Sequence, residues 1–485
     1  MKRYVVVLTL LACCAGVSRG DIVEYAVPRT NLRVTLQGRT QINPGRTVSF
    51  RHPKFGNLVF ALQDVAIHKA PTTSELFSRR LGKAAARKDA DMVMEAALWA
   101  LRNGLLRQCH EAIQQALVFD SNHEEAGRMA RLNELMQRPL GDSSDLAAEL
   151  KAMVRKDDMR IARSPHFILL HDTPEKPDGE RGSPRRKPRA LERLELLEQV
   201  YESFLLKFYS KGVELEIPQE RLKVILFNDQ KMYLHYATSL SPELSSTAGF
   251  WDPKTNVSVF YDHGTTEQFK ALKELSDVFQ GMKANAIRLR TVGAADTVRM
   301  ADTLSLLFQV AQEDADIEVV SHEATHQMAG NTGLLPRHVS VPGWVHEGLA
   351  SYFEAPEDAA WSGIGAVNES RLAWYRALEN DREHSNLDFI VGDQIFSYAA
   401  SHAARLHGYG QAWALTHFLI EKHFDEFMTY YRRLGELPPD VKFSPELLNK
   451  LFDEVFTIDR KSLDFEWRAY MGSLKTDVEL ILEGE

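Results

Sequence analysis

The chain has 485 residues and a formal net charge of −9. This length predicts two or three domains with sizeable cores, and the acidic balance argues against a nucleic acid or an anionic membrane surface as partner. Beyond the first twenty residues the sequence contains one cysteine, Cys109. An intramolecular disulfide is therefore excluded in a chain that begins after residue 20.

The first twenty residues have the composition of an export signal. Residues 1–3 give a basic start, and a short apolar run follows over residues 4–14. That run is well below the roughly 20 apolar residues that a spanning helix needs, so we expect no transmembrane helix in the mature chain. The pattern predicts an extracytoplasmic protein that is cleaved after Gly20. Lipoprotein processing, with a lipid anchor at Cys13, is the alternative.

Two short segments precede the longest predicted domain. Residues 21–70 alternate apolar and polar side chains, which is typical of strands. Residues 71–140 change to helical spacing, and we expect a helical hairpin there. The hairpin is similar to one tetratricopeptide-type helix pair, but repeat arrays need at least about three repeats, so a plain hairpin is the simpler interpretation. A role of this hairpin in protein docking stays open.

Residues 160–475 are predicted to form one larger domain with a mixed sheet and many helices. Before its central motif we expect strands at residues 166–170, 222–227 and 257–261. We expect helices at residues 189–209, 266–282 and 296–312. The whole chain is therefore expected to belong to the α+β class.

A His-Glu-x-x-His pattern follows at residues 322–326. On a helix, His322 and His326 lie one turn apart on the same face, so both imidazoles can bind one zinc ion. Glu323 lies beside that face, where its carboxylate can act as general base on a metal-bound water. Apolar residues 320, 324 and 328 fall on the opposite side, which disfavours two structural core histidines.

A third ligand is needed from elsewhere in the chain. Glu347 lies 21 positions after His326, which leaves room for one loop and a return helix. Its carboxylate would complete a site with three protein ligands and a fourth position open for water. In the other common arrangement, the third ligand is a histidine six positions after the second histidine. Thr332 occupies that position here, so no histidine is available.

The two segments together resemble the gluzincin class of zinc metallopeptidases, in which a second helix supplies the third ligand through a glutamate before a glycine. Here that helix reads Trp344 to Glu354. The chain is also similar, over residues 160–475, to an uncharacterised bacterial set grouped as domain of unknown function 1570, whose members are predicted secreted metallopeptidases. This similarity includes residues 248–253 and 409–413.

The resemblance implies an α+β catalytic domain in which one sheet edge borders the substrate cleft and a helical C-terminal half follows. In the thermolysin-like branch, an Asp four residues after the third ligand orients the first histidine. This chain has Ser351 at that position. A hydroxyl carries no charge that would raise ligand basicity, so the partner of His322 is left open.

A later region can supply the hydrogen-bond donor that stabilises an oxyanion. Tyr409 is our candidate, with His402 and His407 as alternates. The competing interpretation is that the Tyr409 ring only packs against Trp413. His346, next to the third ligand, is expected to point away from the metal if its helix is regular.

These observations predict a secreted zinc peptidase that acts on a peptide or protein substrate. Zn²⁺ would be held by His322, His326 and Glu347, with Glu323 and Tyr409 as catalytic residues. Two other classes stay open: a zinc-stabilised envelope protein without catalysis, and a hydrolase of a non-peptide amide or ester. The choice between endopeptidase and exopeptidase also stays open.

Overall fold

A computed structural model describes residues 20–27, 33–176, 187–290, 293–354, 356–357, 360–361, 363–397 and 401–483. Residues 1–19 of the predicted export signal, which include the lipid site at Cys13, lie outside these ranges. The chain has an α+β fold with two five-stranded sheets and many helices, which confirms the predicted fold class.

The β-rich segment forms an antiparallel sheet. Its strands are β1 (Asp21–Ala26), β2 (Arg33–Asn43), β3 (Thr47–Arg51), β4 (Asn57–Ala61) and β5 (Val65–His68). Their order in the sheet is β4-β3-β2-β1-β5. One face buries Tyr25, Phe50 and Phe60 and packs against Leu306, far along the chain. The first sheet is therefore attached to the larger domain through a shared apolar core.

Residues 71–140 contain four helices, where the sequence analysis expected a single hairpin. They are α1 (Thr73–Arg87), α2 (Ala90–Arg102), α3 (Leu106–Phe119) and α4 (Glu124–Met136). The expectation was wrong because the turns are very short. Lys88 ends α1 in the left-handed region at φ 53°, and Gly104 turns the chain at φ 67°. Such turns interrupt the helical period too briefly to be recognised from spacing.

A mixed sheet lies in the region predicted to be the larger domain. The elements up to its last strand are α5 (Ser144–Val154), β6 (Arg160–Arg163), β7 (Phe167–His171), α6 (Arg189–Ser210), β8 (Leu222–Phe227), α7 (Gln230–Leu240), β9 (Gly249–Asp252) and β10 (Val257–Tyr261). The strand order is β6-β7-β8-β10-β9, with β7, β8 and β10 parallel and the outer strands antiparallel. Strand β9 is therefore an edge strand.

Two long helices follow, α8 (Glu267–Leu289) and α9 (Ala294–Asn331). Helix α9 has 38 residues and includes both the helix expected at residues 296–312 and the His-Glu-x-x-His motif. The two were expected to be separate helices. They are continuous because neither Pro nor Gly occurs between Ala294 and Gly330, so nothing in the sequence ends the helix.

The C-terminal part is almost entirely helical. Its elements are α10 (Gly343–Phe353), β11 (Pro356–Glu357), β12 (Ala360–Trp361), α11 (Glu369–Leu378), α12 (Leu387–Val391), α13 (Gln394–Ser397), α14 (His402–Lys422), α15 (Phe424–Gly435), α16 (Pro445–Val455), α17 (Arg460–Ser473) and α18 (Asp477–Glu483). A Cβ at Gly348 would lie 2.6 Å from the Ala412 carbonyl oxygen, so α10 and α14 pack in backbone contact. Within the described ranges, no helix has the length and apolar character required to span a bilayer.

Candidate metal centre

The part of α9 that carries the two histidines is fixed to the mixed sheet. Gln327 Nε2 donates hydrogen bonds to the backbone carbonyls of Lys223 and Asn256, at 3.0 and 3.1 Å. Its Oε1 accepts one from Ser258 Oγ at 3.1 Å. Because Gln327 is bound to two strands at once, the rotation of α9 is set, and the histidine face is directed at α10.

Three side chains form a compact cluster between α9 and α10. Glu347 Oε2 lies 2.9 Å from His322 Nε2 and 3.7 Å from His326 Nε2. One possible ligand atom from each of the three residues lies within 4.8 Å of the other two. Both histidines are buried. The structure thus brings together the three residues that the sequence predicted as metal ligands.

The chemistry of these residues fits a zinc ion. Two imidazole nitrogens and one carboxylate oxygen are a donor set that zinc accepts, with a fourth position left for water or substrate. Burial, aided by the neighbouring His346, lowers the pKa of His326 to about 3. This ring is therefore neutral and offers a nitrogen lone pair to a metal.

His322 and Glu347 shift each other's pKa values. Burial lowers the pKa of His322, but hydrogen bonds to Glu347 and Glu354 outweigh this effect and raise it well above its ordinary value. Burial raises the pKa of Glu347, yet hydrogen bonds from the surrounding histidines hold it well below its ordinary value. Both shifts arise because the Glu347 carboxylate lies against the His322 imidazole, so a positive charge on that ring is stabilised.

The carboxylate that orients His322 is Glu354, to which the sequence assigned no role. Its Oε2 lies 2.7 Å from His322 Nδ1, and the side chain is fully buried. Ser351 is also buried, but its Oγ has no hydrogen-bond partner among the described residues. Glu354 lies seven residues after Glu347, close to two helical turns, so both carboxylates face α9. That spacing is the signal that could have identified it.

Arg371 on α11 holds this carboxylate in place. Its Nε donates to Glu354 Oε1, and its Nη2 donates to Glu318 Oε1 at 2.7 Å. Burial raises the pKa of Glu354, but the charges of Arg371 and His322 bring it down to about 2. An ionised partner at Nδ1 keeps the proton on that nitrogen, so Nε2 of His322 is the atom that remains for a metal.

Glu323 lies beside the three-residue cluster without belonging to it. The backbone N–H of Trp251, on edge strand β9, donates a hydrogen bond to its carboxylate, and burial raises its pKa to about 7. A Cβ at Gly249 would lie 2.6 Å from Val319 Cγ1 and 3.2 Å from Glu323 Cγ. Glycine thus lets β9 run directly against α9. As a result, Glu323 lies between the sheet edge and the histidines.

Tyr409 reaches the cluster from α14. Its ring centroid is 6.1 Å from that of His322 and 5.3 Å from that of Phe396, and the Arg371 guanidinium lies 5.0 Å over it. The charge of Glu347, followed by burial, raises the Tyr409 pKa, so the hydroxyl keeps its proton. Tyr409 is therefore available as a hydrogen-bond donor beside the predicted ligands.

The other histidines considered from the sequence have different surroundings. His407 Nδ1 lies 3.3 Å from the Trp374 carbonyl oxygen, which directs the ring towards α11. The side chain of His402 lies outside the described residues. His346 does not point away, as was expected, but stacks on His326 with centroids 3.6 Å apart. Helices α9 and α10 lie so close here that the residue before Glu347 also contacts α9.

Residues 316–440 match the model of a family described as "Protein of unknown function (DUF1570)". The match covers about a quarter of the chain, and this quarter contains both histidines, Glu347, Glu323 and Tyr409. No curated protein and no solved structure matches the chain. The match agrees with the similarity to the uncharacterised bacterial set, and the family description states no activity.

Proposed function

We propose that this protein is a zinc-dependent peptidase of the gluzincin type that acts outside the cytoplasm. The observation that carries the proposal is the position of Glu323. It is a buried carboxylate with a pKa of about 7, next to a zinc-compatible donor set and not part of it. A general base is most effective when its pKa lies near the working pH. The apolar run at residues 4–14 supports export.

Each residue of the centre has a role in this proposal. His322, His326 and Glu347 would hold the zinc ion, which when bound supplies Lewis acidity towards a carbonyl oxygen and a water molecule. Glu323 accepts a proton from the attacking water and returns it to the leaving amine. Tyr409 donates a hydrogen bond to the oxygen that gains negative charge.

The sheet edge supports a peptide as the substrate. Among the described residues, strand β9 pairs with β10 on one side only, so its other side offers backbone groups to an additional strand. The Trp251 N–H on that strand already points to Glu323. An extended peptide that pairs with β9 would pass its amides beside this carboxylate. Backbone pairing tolerates many side chains, which favours a broad rather than a narrow sequence preference.

The test is the variant Glu323→Gln. It keeps the size of the side chain and removes the base, so zinc content and thermal stability should stay at wild-type levels. General-base catalysis contributes about 10²–10⁴-fold, and we expect at least a ~100-fold loss of peptide hydrolysis. The matched control is Glu436→Gln, because the side chain of Glu436 is 70% exposed at the end of α15. This variant should retain full activity.

The alternative classes give different results in the same assay. A zinc-stabilised protein without catalysis would be inert across a broad peptide library, in wild type and variant alike, at full zinc occupancy. A hydrolase of non-peptide amides or esters would cleave those substrates and leave peptides intact. Loss of zinc from Glu323→Gln would instead make Glu323 a ligand, and the roles proposed here would be wrong.

A further inference from the structure

Helix α8 carries an exposed apolar stripe. Of the 15 large apolar side chains that are exposed in the described ranges, five lie on this helix, Leu275, Val278, Met282, Ile287 and Leu289. Their exposed fractions are 45%, 59%, 47%, 56% and 63%. Single exposed apolar residues are ordinary, whereas a contiguous row marks a contact surface.

Apart from Ile287, which lies on the same side as Ser276 and Gln280, the stripe is not on the face that α9 covers. Ser276 Oγ and Gln280 Nε2 reach Ser305 Oγ and the Ala301 carbonyl, each at 3.4 Å. Lys283 forms an ion pair with Asp302. These three polar residues define the side of α8 that lies against α9. At 100° per residue, Leu275, Val278, Met282 and Leu289 lie about a quarter of a turn or more from that side.

The spacing of the stripe indicates a helical partner. The seam consists of Ala271, Leu275, Val278, Met282, Asn285 and Leu289, which alternate in steps of four and three as in the heptad seam of paired helices. Asn285 is its one polar position, and Ile287 lies outside it. A helix that lies on a membrane surface has a broader apolar face and a mostly basic polar face. Helix α8 instead has a mixed polar side, with Glu267, Lys270, Lys273, Glu274 and Asp277 in its first half and Lys283, Arg288 and Arg290 in its second half.

The charges that border the seam are complementary to themselves. Glu267, Glu274, Gly281 and Arg288 are seven residues apart and border the seam on the side away from α9. In antiparallel helix pairs, such bordering positions face each other. Glu274 of one copy would face Arg288 of the other, twice by symmetry, and Gly281 would face itself. A Cβ at Gly281 would have no other atom within 4 Å, so this side is open.

We propose that the protein forms a two-fold symmetric dimer in which α8 packs antiparallel against α8 of a second copy. Val278 then meets Met282 across the axis, and small Ala271 meets Leu289. Since α9 covers the other side of each α8, the contact is a bundle of four helices. This inference does not depend on the metal centre or on the proposed activity.

Sedimentation or light scattering of the full chain over a micromolar concentration series tests the dimer. Wild type should be dimeric. Met282→Asp places a charge in the seam and should raise the dissociation constant at least ~100-fold. Because Met282 is exposed in the single chain, the far-ultraviolet spectrum should be unchanged. Phe465→Asp is the control, since Phe465 is 74% exposed on α17 and should leave the dimer intact.

Charge exchange tests the antiparallel arrangement. Glu274→Arg and Arg288→Glu should each weaken their own dimers about tenfold, since like charges then face each other. An equimolar mixture of the two variants should form a heterodimer at least as stable as either homodimer. A monomeric wild type, a dimer that persists in Met282→Asp, or a mixture without heterodimers would overturn the proposal. Binding of monomeric wild type to lipid vesicles, lost in Met282→Asp, would also overturn it and assign the stripe to a membrane surface.

Discussion

Helix α9 carries two groups of buried charges, about two turns apart, that are neutralised in different ways. In the first, which we call the upstream cluster, Glu313 and Asp316 face Arg193 of α6. The Arg193 Nη1 atom lies 3.0 Å from Glu313 Oε1, and the Arg193 Nη2 atom lies 2.7 Å from Asp316 Oδ2. In the second, the metal centre, the side-chain contacts of Glu347 within the described residues are with histidines.

The upstream cluster is complete without a ligand. Glu313 also pairs with Arg189 at 2.6 Å and with Lys54, in the loop between β3 and β4, at 2.7 Å. Guanidinium and ammonium groups carry permanent charge, so they neutralise these carboxylates at any physiological pH. At Glu347 the partners are imidazoles, which supply positive charge only when they bind a proton or a metal. This difference supports a structural role for the upstream cluster and our proposal that a cation binds at the candidate metal centre.

The largest expected effect comes from breaking the upstream cluster. Arg193→Met leaves Asp316 and Glu313 buried without their main partner. Removal of one member of a buried ion pair costs about 3–5 kcal/mol, and we expect a loss of this size in the free energy of unfolding. Chemical denaturation measures it. The control is Arg433→Met, because Arg433 is 47% exposed beside Glu454 and should cost at most about 1 kcal/mol.

The loss of stability on acidification should also depend on the upstream cluster. Burial by itself would raise the pKa of Glu313. The charges of Arg193, Lys54 and Arg189 outweigh burial and hold this pKa well below the ordinary 4.5. Because the folded-state pKa is depressed, this group stabilises the fold above pH 4.5, and the contribution is lost as the pH falls further. The loss on acidification should be smaller in Arg193→Met than in wild type. Equal losses would show that Glu313 is not held by Arg193.

A smaller effect, on the affinity for zinc, is expected when Glu354, the hydrogen-bond partner of His322, is replaced. Glu354→Gln removes the charge that fixes the ring, and such changes typically lower metal affinity about 10–100-fold. Competition with a chelator measures the affinity for zinc. Ser351→Ala is the matched control, since its Oγ has no partner in the described part of the chain. If Ser351→Ala weakened zinc binding and Glu354→Gln did not, the assignment of the orienting residue would be wrong.

The smallest of these effects concerns the hydroxyl of Tyr409. Tyr409→Phe keeps the ring contacts with Phe396 and Arg371 and removes one hydrogen-bond donor. A single such bond is worth about 1–1.5 kcal/mol, so kcat should fall about tenfold with zinc content and KM little changed. His407→Ala should leave kcat unaltered, because His407 is directed at Trp374. A reversed result would make His407 the donor.

The same comparison shows what the sequence can and cannot predict. The three proposed ligands and Glu323 were recognised because helical geometry relates residues one turn apart and the Glu347 segment has its own pattern. The upstream cluster was not foreseen, because Arg193 and Glu313 are 120 positions apart and no local rule joins them. Contacts of this kind depend on how α6 and α9 pack in three dimensions.

What was missed from the sequence has identifiable structural causes. Glu354 belongs to the second-helix pattern but received no role, because the family pattern places the orienting carboxylate at the position of Ser351, one turn after Glu347. The stacking of His346 on His326 was missed because it depends on the distance between α9 and α10. The edge strand β9 could not be chosen from the sequence, because a strand's place in a sheet is set by pairings with distant segments.

The most direct measurement for the central claim is the zinc content of purified protein, wild type beside Glu347→Ala. The account predicts about one zinc per wild-type chain, because three protein ligands bind one ion, and a clear loss in the variant. Circular dichroism should show that the variant remains folded, since the helices around the centre are held by other contacts. Full zinc retention in Glu347→Ala would contradict the account and remove this carboxylate from the ligand set.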